Sequence, residues 1–158
     1  MKGAEELKDI EILIVEDNEH DLELTMRALK KHKISNRVLA LRDGEEAIDY
    51  LFRRGEFEER DDSKPKVIFL DLKLPKIDGL EVLERIKEDP ETRGIPVVML
   101  TSSAEETDRL RSYDLGVNSY VVKPVDFDDF MLAISRAGYY WIALNRPPAD
   151  ERKKTGTV

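Results

Sequence analysis

Three carboxylates, one ammonium and one hydroxyl carry the candidate chemistry of this sequence. Asp71 closes the apolar run Val67-Ile68-Phe69-Leu70 and opens the turn Asp71-Leu72-Lys73-Leu74-Pro75-Lys76-Ile77-Asp78-Gly79. A second apolar run, Ile12-Leu13-Ile14-Val15, ends in Glu16 and Asp17. With both runs as parallel strands, the three acids meet at the carboxyl edge of one sheet, where open α/β sheets bind ligands. Such a cluster repels itself unless a cation sits in it. Mg2+ suits it, because this hard ion takes oxygen ligands and keeps several waters, so two or three carboxylates plus a backbone carbonyl suffice. Thr101, with Ser102, follows the run Val97-Val98-Met99-Leu100, and Lys123 follows Ser119-Tyr120-Val121-Val122. Both then fall at the same edge. An ammonium and a hydroxyl beside a metal are what an incoming phosphoryl group needs, since phosphoryl transfer depends on positioning and on neutralising oxygen charge. In that chemistry Asp71 is the nucleophile, Lys123 holds one phosphoryl oxygen and Thr101 hydrogen-bonds another. The Lys123-Pro124 step is a candidate cis peptide that would aim the lysine inward.

The elements that must position these groups are legible as alternating patterns. Apolar runs at 11–15, 37–41, 67–70, 97–100 and 119–122 alternate with segments whose apolar residues recur every three or four positions: 21–32, 44–53 and 80–88. Strands alternating with amphipathic helices predict a parallel sheet covered on both faces. A fourth helix is expected to start after Thr101-Ser102-Ser103, each serine standing three residues before a glutamate as in a capping box, and to run to about Tyr113. A fifth spans 127–144 and stops before Pro147-Pro148. Residues 55–65 read as a long solvated loop.

The fifth helix carries two apolar stripes. Phe127, Phe130, Ile134, Trp141 and Leu144 suit the core, whereas Leu132, Tyr139 and Ile142 mark a second side, an interface or a patch covered by the tail. Gly138 inside this helix costs about 1 kcal/mol relative to alanine, so close packing is the expected reason for it.

At 158 residues and 41% hydrophobic, the chain suits one domain, expected over 10–145, with an N-terminal extension at 1–9 and a polar tail at 146–158. A net charge of -8 argues against nucleic acid and anionic membranes as partners and favours cations. Zero cysteines exclude disulfides and thiolate chemistry, and the start Met-Lys-Gly-Ala-Glu-Glu has no signal-peptide core, so the cytoplasm is expected.

Taken singly, these residues have plainer readings. An acid after a strand is often a helix N-cap, and a lysine is usually a solvated surface residue. Tyr120 is equally well rim packing or a switch. His20 and His32 lack a paired ligand spacing and read as surface residues. The coincidence of Glu16, Asp17, Asp71, Thr101 and Lys123 at one edge is what favours the functional reading.

Together, Glu16-Asp17, the block Asp71 to Gly79, Thr101-Ser102 and Tyr120-Val121-Val122-Lys123-Pro124 resemble the receiver domains of two-component response regulators over roughly 10–145. The resemblance implies a flavodoxin-like, doubly wound, five-stranded parallel sheet of order 2-1-3-4-5, the order that a chemotaxis receiver exemplifies. It further implies phosphotransfer from a sensor histidine kinase to Asp71 with Mg2+, a role for the backbone carbonyl of Lys73 at the metal, and a Tyr120 rotamer that follows Thr101. In receivers, the positions of Lys73 and Ser103 flank the phosphoryl group and tune its hydrolysis. The long loop before the third strand, Asp71-Leu72-Lys73-Leu74-Pro75 and the aromatic final helix look like single-domain phytochrome response regulators, which would make the kinase phytochrome-type. With no output domain expected after residue 145, output goes through protein contact, and a homodimer through Leu132, Tyr139 and Ile142 is expected.

The rivals are a haloacid-dehalogenase-type phosphatase, a flavodoxin-type carrier and a pseudo-receiver. The first wants an acid where Lys73 stands. The second wants a Gly-rich phosphate loop where Glu16-Asp17-Asn18-Glu19 stands. The intact acid set with Lys123 speaks against the third.

Overall fold

The computed structural model describes residues 9–31, 37–124 and 126–146. Five strands, β1 (Ile12–Val15), β2 (Val38–Leu41), β3 (Val67–Leu70), β4 (Val97–Thr101) and β5 (Ser119–Val122), alternate with five helices. The helices are α1 (Glu19–Lys31), α2 (Gly44–Phe52), α3 (Gly79–Glu88), α4 (Glu106–Asp114) and α5 (Phe127–Tyr139). All strand pairs are parallel, in the order β2-β1-β3-β4-β5. This is the flavodoxin-like order expected. Residues 1–8 of the extension expected at 1–9, His32, and residues 147–158 of the tail expected at 146–158 lie outside the described residues.

Alternating side chains send each strand's apolar residues to both faces. Leu13, Val15, Ile68 and Leu70 pack with α2 and α3 residues such as Ile48, Leu51, Leu83 and Ile86 on one face. Ile12, Ile14, Val67 and Phe69 pack with Leu22 and Leu29 of α1 and with Phe130 and Ile134 of α5 on the other. The central strands β1 and β3 are buried along their whole length, so their ends are held rigidly.

Four expectations are corrected. The Lys123-Pro124 peptide is trans, as are all peptides among the described residues. Trans is the favoured form, and β5 already delivers Lys123 to the site through Lys123 N–H donating to Thr101 O at 2.7 Å.

Helix α4 starts at Glu106, not directly after Ser103, and its N-cap Glu105 makes no side-chain cap bond. Ser103 is committed elsewhere. Its N–H donates to Thr101 Oγ1 at 3.2 Å and its hydroxyl to Asp108 at 2.7 Å.

The 55–65 segment is not simply solvated. It contains a 3-10 turn, Gly55–Phe57, and then Arg60, which is 6% exposed. The Arg60 guanidinium donates to the carbonyls of Tyr50 and Leu51, the last turn of α2, and to those of Asp61 and Ser63. It also lies 4.2 Å from the Tyr50 ring centroid, while Phe57 meets that ring edge-on. An arginine thus closes the carboxyl end of α2, where cations are favoured.

In α5, Phe130 and Ile134 enter the core as expected, but Phe127 and Leu144 stay exposed. Phe127 is the first residue of its helix. Beyond Tyr139 the chain continues as a π-helical turn, Tyr140–Leu144, whose wider step shifts the phase of the apolar stripe. Leu144 turns outward in consequence, and Ile142 joins Trp141 in packing partly against the core. Leu132 and Tyr139 are exposed as expected, and Gly138 is buried. Among the described residues no helix is long and apolar enough to cross a membrane.

Candidate phosphoacceptor and metal site

Register places the site. Val15 of β1 is level with Leu70 of β3, so Glu16 and Asp71, the next residues of each chain segment, leave the sheet side by side. The N–H of Asp71 donates to Val15 O at 3.1 Å, and that of Glu16 to Leu41 O at 2.9 Å. The approach behind Asp71 is close. A Cβ on Gly79 would lie 2.1 Å from Asp71 O, and one on Gly44 would lie 1.9 Å from Ile77 O, so only glycine lets α3 and α2 begin there. Lys76 in this turn has φ of 67° and sits 3.5 Å from Asp43, the residue that caps α2.

Glu16, Asp17 and Asp71 each bring a carboxylate oxygen within 4.8 Å of the others, Asp17 from the exposed rim and the other two from buried positions. An all-oxygen donor set of this kind fits a hard divalent cation. The Lys73 N–H points back to Asp71 Oδ1 at 3.5 Å, and its side chain is exposed. Thr101 is fully buried at the end of β4, next to β3 in the sheet. Tyr120 is half-buried, and its hydroxyl donates to Ser103 O at 2.9 Å. This ties it to the residue that engages Thr101 without direct contact to Asp71. His20 is exposed, as expected.

Lys123 directs its three ammonium protons at three carboxylates: Glu16 Oε1, Asp21 Oδ2 at 2.9 Å and Asp71 Oδ2 at 3.5 Å. Its side chain is 8% exposed. Burial alone would lower its pKa, but the hydrogen bonds of Glu16 and Asp21, with the charges of Glu16 and Asp71, outweigh it and push the pKa up to about 12. Lys123 is therefore a fixed positive charge. Glu16 shifts upward as well: burial first, then the hydrogen bond and charge of Asp71, raise it from 4.5 to about 8 against the pull of Lys123. Without a bound cation, burial favours the protonated form of the Glu16 carboxyl.

Asp21 is the site residue that sequence reasoning missed. It stands four positions after Asp17, in the first turn of α1, which begins at Glu19 just beyond the end of β1. That spacing was the one available signal, because Asp21 follows no strand and so has no place in the edge pattern that marked the other acids. Its own N–H donates to the Asn18 side chain at 2.9 Å. Leu132, Tyr139 and Ile142 lie on α5 and the π-helical turn, outside this cluster.

The model of the response regulator receiver domain family matches residues 12–135. The chain is 44% identical over 137 residues to the probable methanogenesis regulatory protein FilR2 of Methanothrix harundinacea, covering 87% of this chain and 86% of that protein. It is 40% identical over 138 residues to response regulator Rcp1 of Synechocystis, covering 87% and 92%. The Mn2+-bound form of Rcp1 superposes with a TM-score of 0.81, covering 87% of this chain and 98% of that one. The bacteriophytochrome response regulator RtBRR is 54% identical with a TM-score of 0.72, covering 91% and 87%.

Proposed function

The chain belongs to the response regulator receiver family and is a phosphoacceptor of two-component signalling; on that premise we propose that Asp71 takes the phosphoryl group. The observation that carries this reading is the meeting of Asp71 with Glu16, Asp17 and Lys123 at one sheet edge. An Asp71 carboxylate oxygen bonds to phosphorus as the phosphorus–nitrogen bond of a kinase phosphohistidine breaks, and the imidazole leaves. Lys123 donates an N–H to one phosphoryl oxygen, and the Thr101 hydroxyl donates to another. Glu16, Asp17, Asp71 and the backbone carbonyl of Lys73 would hold Mg2+, which would supply neutralisation of oxygen charge in the transfer.

Family membership favours a receiver over the phosphatase and the carrier, and the acid set with Lys123 speaks against a pseudo-receiver. A sensor histidine kinase is the donor. The likeness to RtBRR favours a phytochrome-type kinase. FilR2, at 44% identity, is named for methanogenesis and not for a phytochrome, so the kinase comparison must include both types. Tyr120 answers the state of Thr101 through Ser103, and the exposed Leu110, Tyr113, Val122 and Phe127 form the output surface around α4 and β5. Leu132, Tyr139 and Ile142 form a dimer contact.

The test is intact-mass measurement after incubation with acetyl phosphate and Mg2+, and then with phytochrome-type and other sensor kinases. One phosphoryl group should appear on wild type and none on Asp71→Asn. Equal phosphorylation of that variant would remove Asp71 from the role.

A further inference from the structure

The ammonium of Lys123 has three protons and three carboxylate partners, so a phosphoryl oxygen has no free N–H to accept. Two of those partners have roles in the reaction proposed above: Asp71 becomes the mixed anhydride, and Glu16 is one of the carboxylates that would hold the cation. Asp21 belongs to neither role, since it is outside the three carboxylates that close around a cation. It nevertheless holds Lys123 at 2.9 Å, closer than the 3.5 Å that separates the ammonium from Asp71.

The hold is well built. The Asp21 N–H donates to the Asn18 side chain at 2.9 Å, and its carbonyl accepts the buried Thr25 hydroxyl at 2.8 Å, so the first turn of α1 fixes its backbone. Its side chain is 27% exposed, which leaves the pair only partly screened.

We propose that Asp21 is a positioning residue that draws Lys123 toward α1 and away from Asp71 in the unphosphorylated protein, and so opposes the phosphorylated state. The inference rests on Asp71 being the phosphoacceptor. A contact made in one state and weakened in the other shifts the equilibrium by its differential strength. As the phosphoryl group draws the ammonium toward Asp71, the Asp21 contact lengthens. Replacing Asp21 with an uncharged isostere then costs the unphosphorylated state more than the phosphorylated one.

Beryllofluoride, which mimics a phosphoryl group on a carboxylate, is the probe, titrated at saturating Mg2+ on the full chain. Asp21→Asn should bind it about two- to fivefold more tightly, the size of one partly exposed charge pair. Mg2+ affinity measured without beryllofluoride should move by less, and Asp21→Glu should return toward wild type. Glu19→Gln removes an acid from the same helical turn, one that pairs with Arg42 and not with Lys123, and should leave beryllofluoride affinity unchanged. Unchanged or weaker beryllofluoride binding by Asp21→Asn would overturn the proposal. Equal tightening in Glu19→Gln would overturn it too, by reducing the effect to net charge. Failure of the underlying reading is distinguishable: Asp71→Asn would then bind beryllofluoride as wild type does.

Discussion

Glu16 carries the pH dependence of the site. Its ordinary value of 4.5 applies to the unfolded chain, and burial beside Asp71 raises it to about 8 in the folded one. Below 4.5 both states are protonated. Between the two values the folded state keeps a proton that the unfolded state has lost, so the metal-free protein is most stable at the acid end of this window and loses that contribution as pH rises through about 8. Denaturant melts in EDTA from about pH 5 to about pH 8.5 should show this decline in wild type and a flatter profile in Glu16→Gln. Identical slopes would sink the assignment. A divalent cation must displace the same proton, so Mg2+ affinity should climb over that range, with proton release measurable in weakly buffered solution.

Among the elements, the segment after α2 matters more than its polarity suggests. Arg60 serves four carbonyls from a buried position, and removing it takes its bonds from Tyr50 O and Leu51 O at the end of α2 and from Asp61 O and Ser63 O in the loop, leaving Tyr50 O only the long Arg53 N–H bond at 3.4 Å. Arg60→Ala should cost about 1.5 to 3 kcal/mol in urea unfolding, the range for hydrogen bonds made by a charged group. A cost below about 0.5 kcal/mol, the level of an ordinary surface change, would mean that the loop holds without it. The start of α3 gives a second prediction. Gly79→Ala forces a methyl against Asp71 O, so it should destabilise by about 1 to 3 kcal/mol and slow phosphorylation of Asp71. Gly94→Ala, where a Cβ meets nothing within 4 Å, is the internal control. Equal effects at Gly79 and Gly94 would show that the close approach behind Asp71 has no consequence.

For the whole molecule, metal binding and folding are linked, because three carboxylates from two distant parts of the chain converge only when the sheet forms. Mg2+ at about 100 times its dissociation constant should stabilise the protein by about 2.7 kcal/mol. Asp17→Asn should reduce that gain. A melting temperature indifferent to millimolar Mg2+ and Mn2+ would count against the site. Assembly is the other property of the molecule as a whole. Leu132 and Tyr139 stay exposed on α5, with Tyr140 and Leu144 extending the apolar surface through the π-helical turn. Exposed aromatics of this kind anchor interfaces. Light scattering at micromolar concentration should find wild type dimeric and Tyr139→Ser/Ile142→Ser shifted toward monomer. Because Ile142 also packs partly inward, the variant's circular dichroism must match wild type before the shift is read as interface loss. Monomeric wild type, phosphorylated or not, would end the dimer reading.

Local patterning was enough to place the parallel sheet, its five strands and the carboxyl edge where Glu16, Asp17, Asp71, Thr101 and Lys123 collect. Apolar runs bounded by polar residues set each strand, and parallel strands alternating with helices bring the residues just past every strand to one edge. Whatever depends on reach between distant segments had to wait for the folded chain. Asp21 lies 102 positions from Lys123, and no periodicity in α1 announces the pairing. Arg60 looked solvated because its neighbours are charged, yet the orphan carbonyls at the end of α2 draw it in. Ser103 matched a capping box, but the Thr101 hydroxyl and Asp108 compete for it and win. The stripe on α5 read correctly at Phe130, Ile134 and Trp141, failed at Phe127, the first residue of the helix, and lost phase across the π-helical turn, whose changed step turns Leu144 outward. Side-chain hydrogen bonds and helix phase are settled by which partners the folded chain brings within about 3 Å, and that information is not local in the sequence.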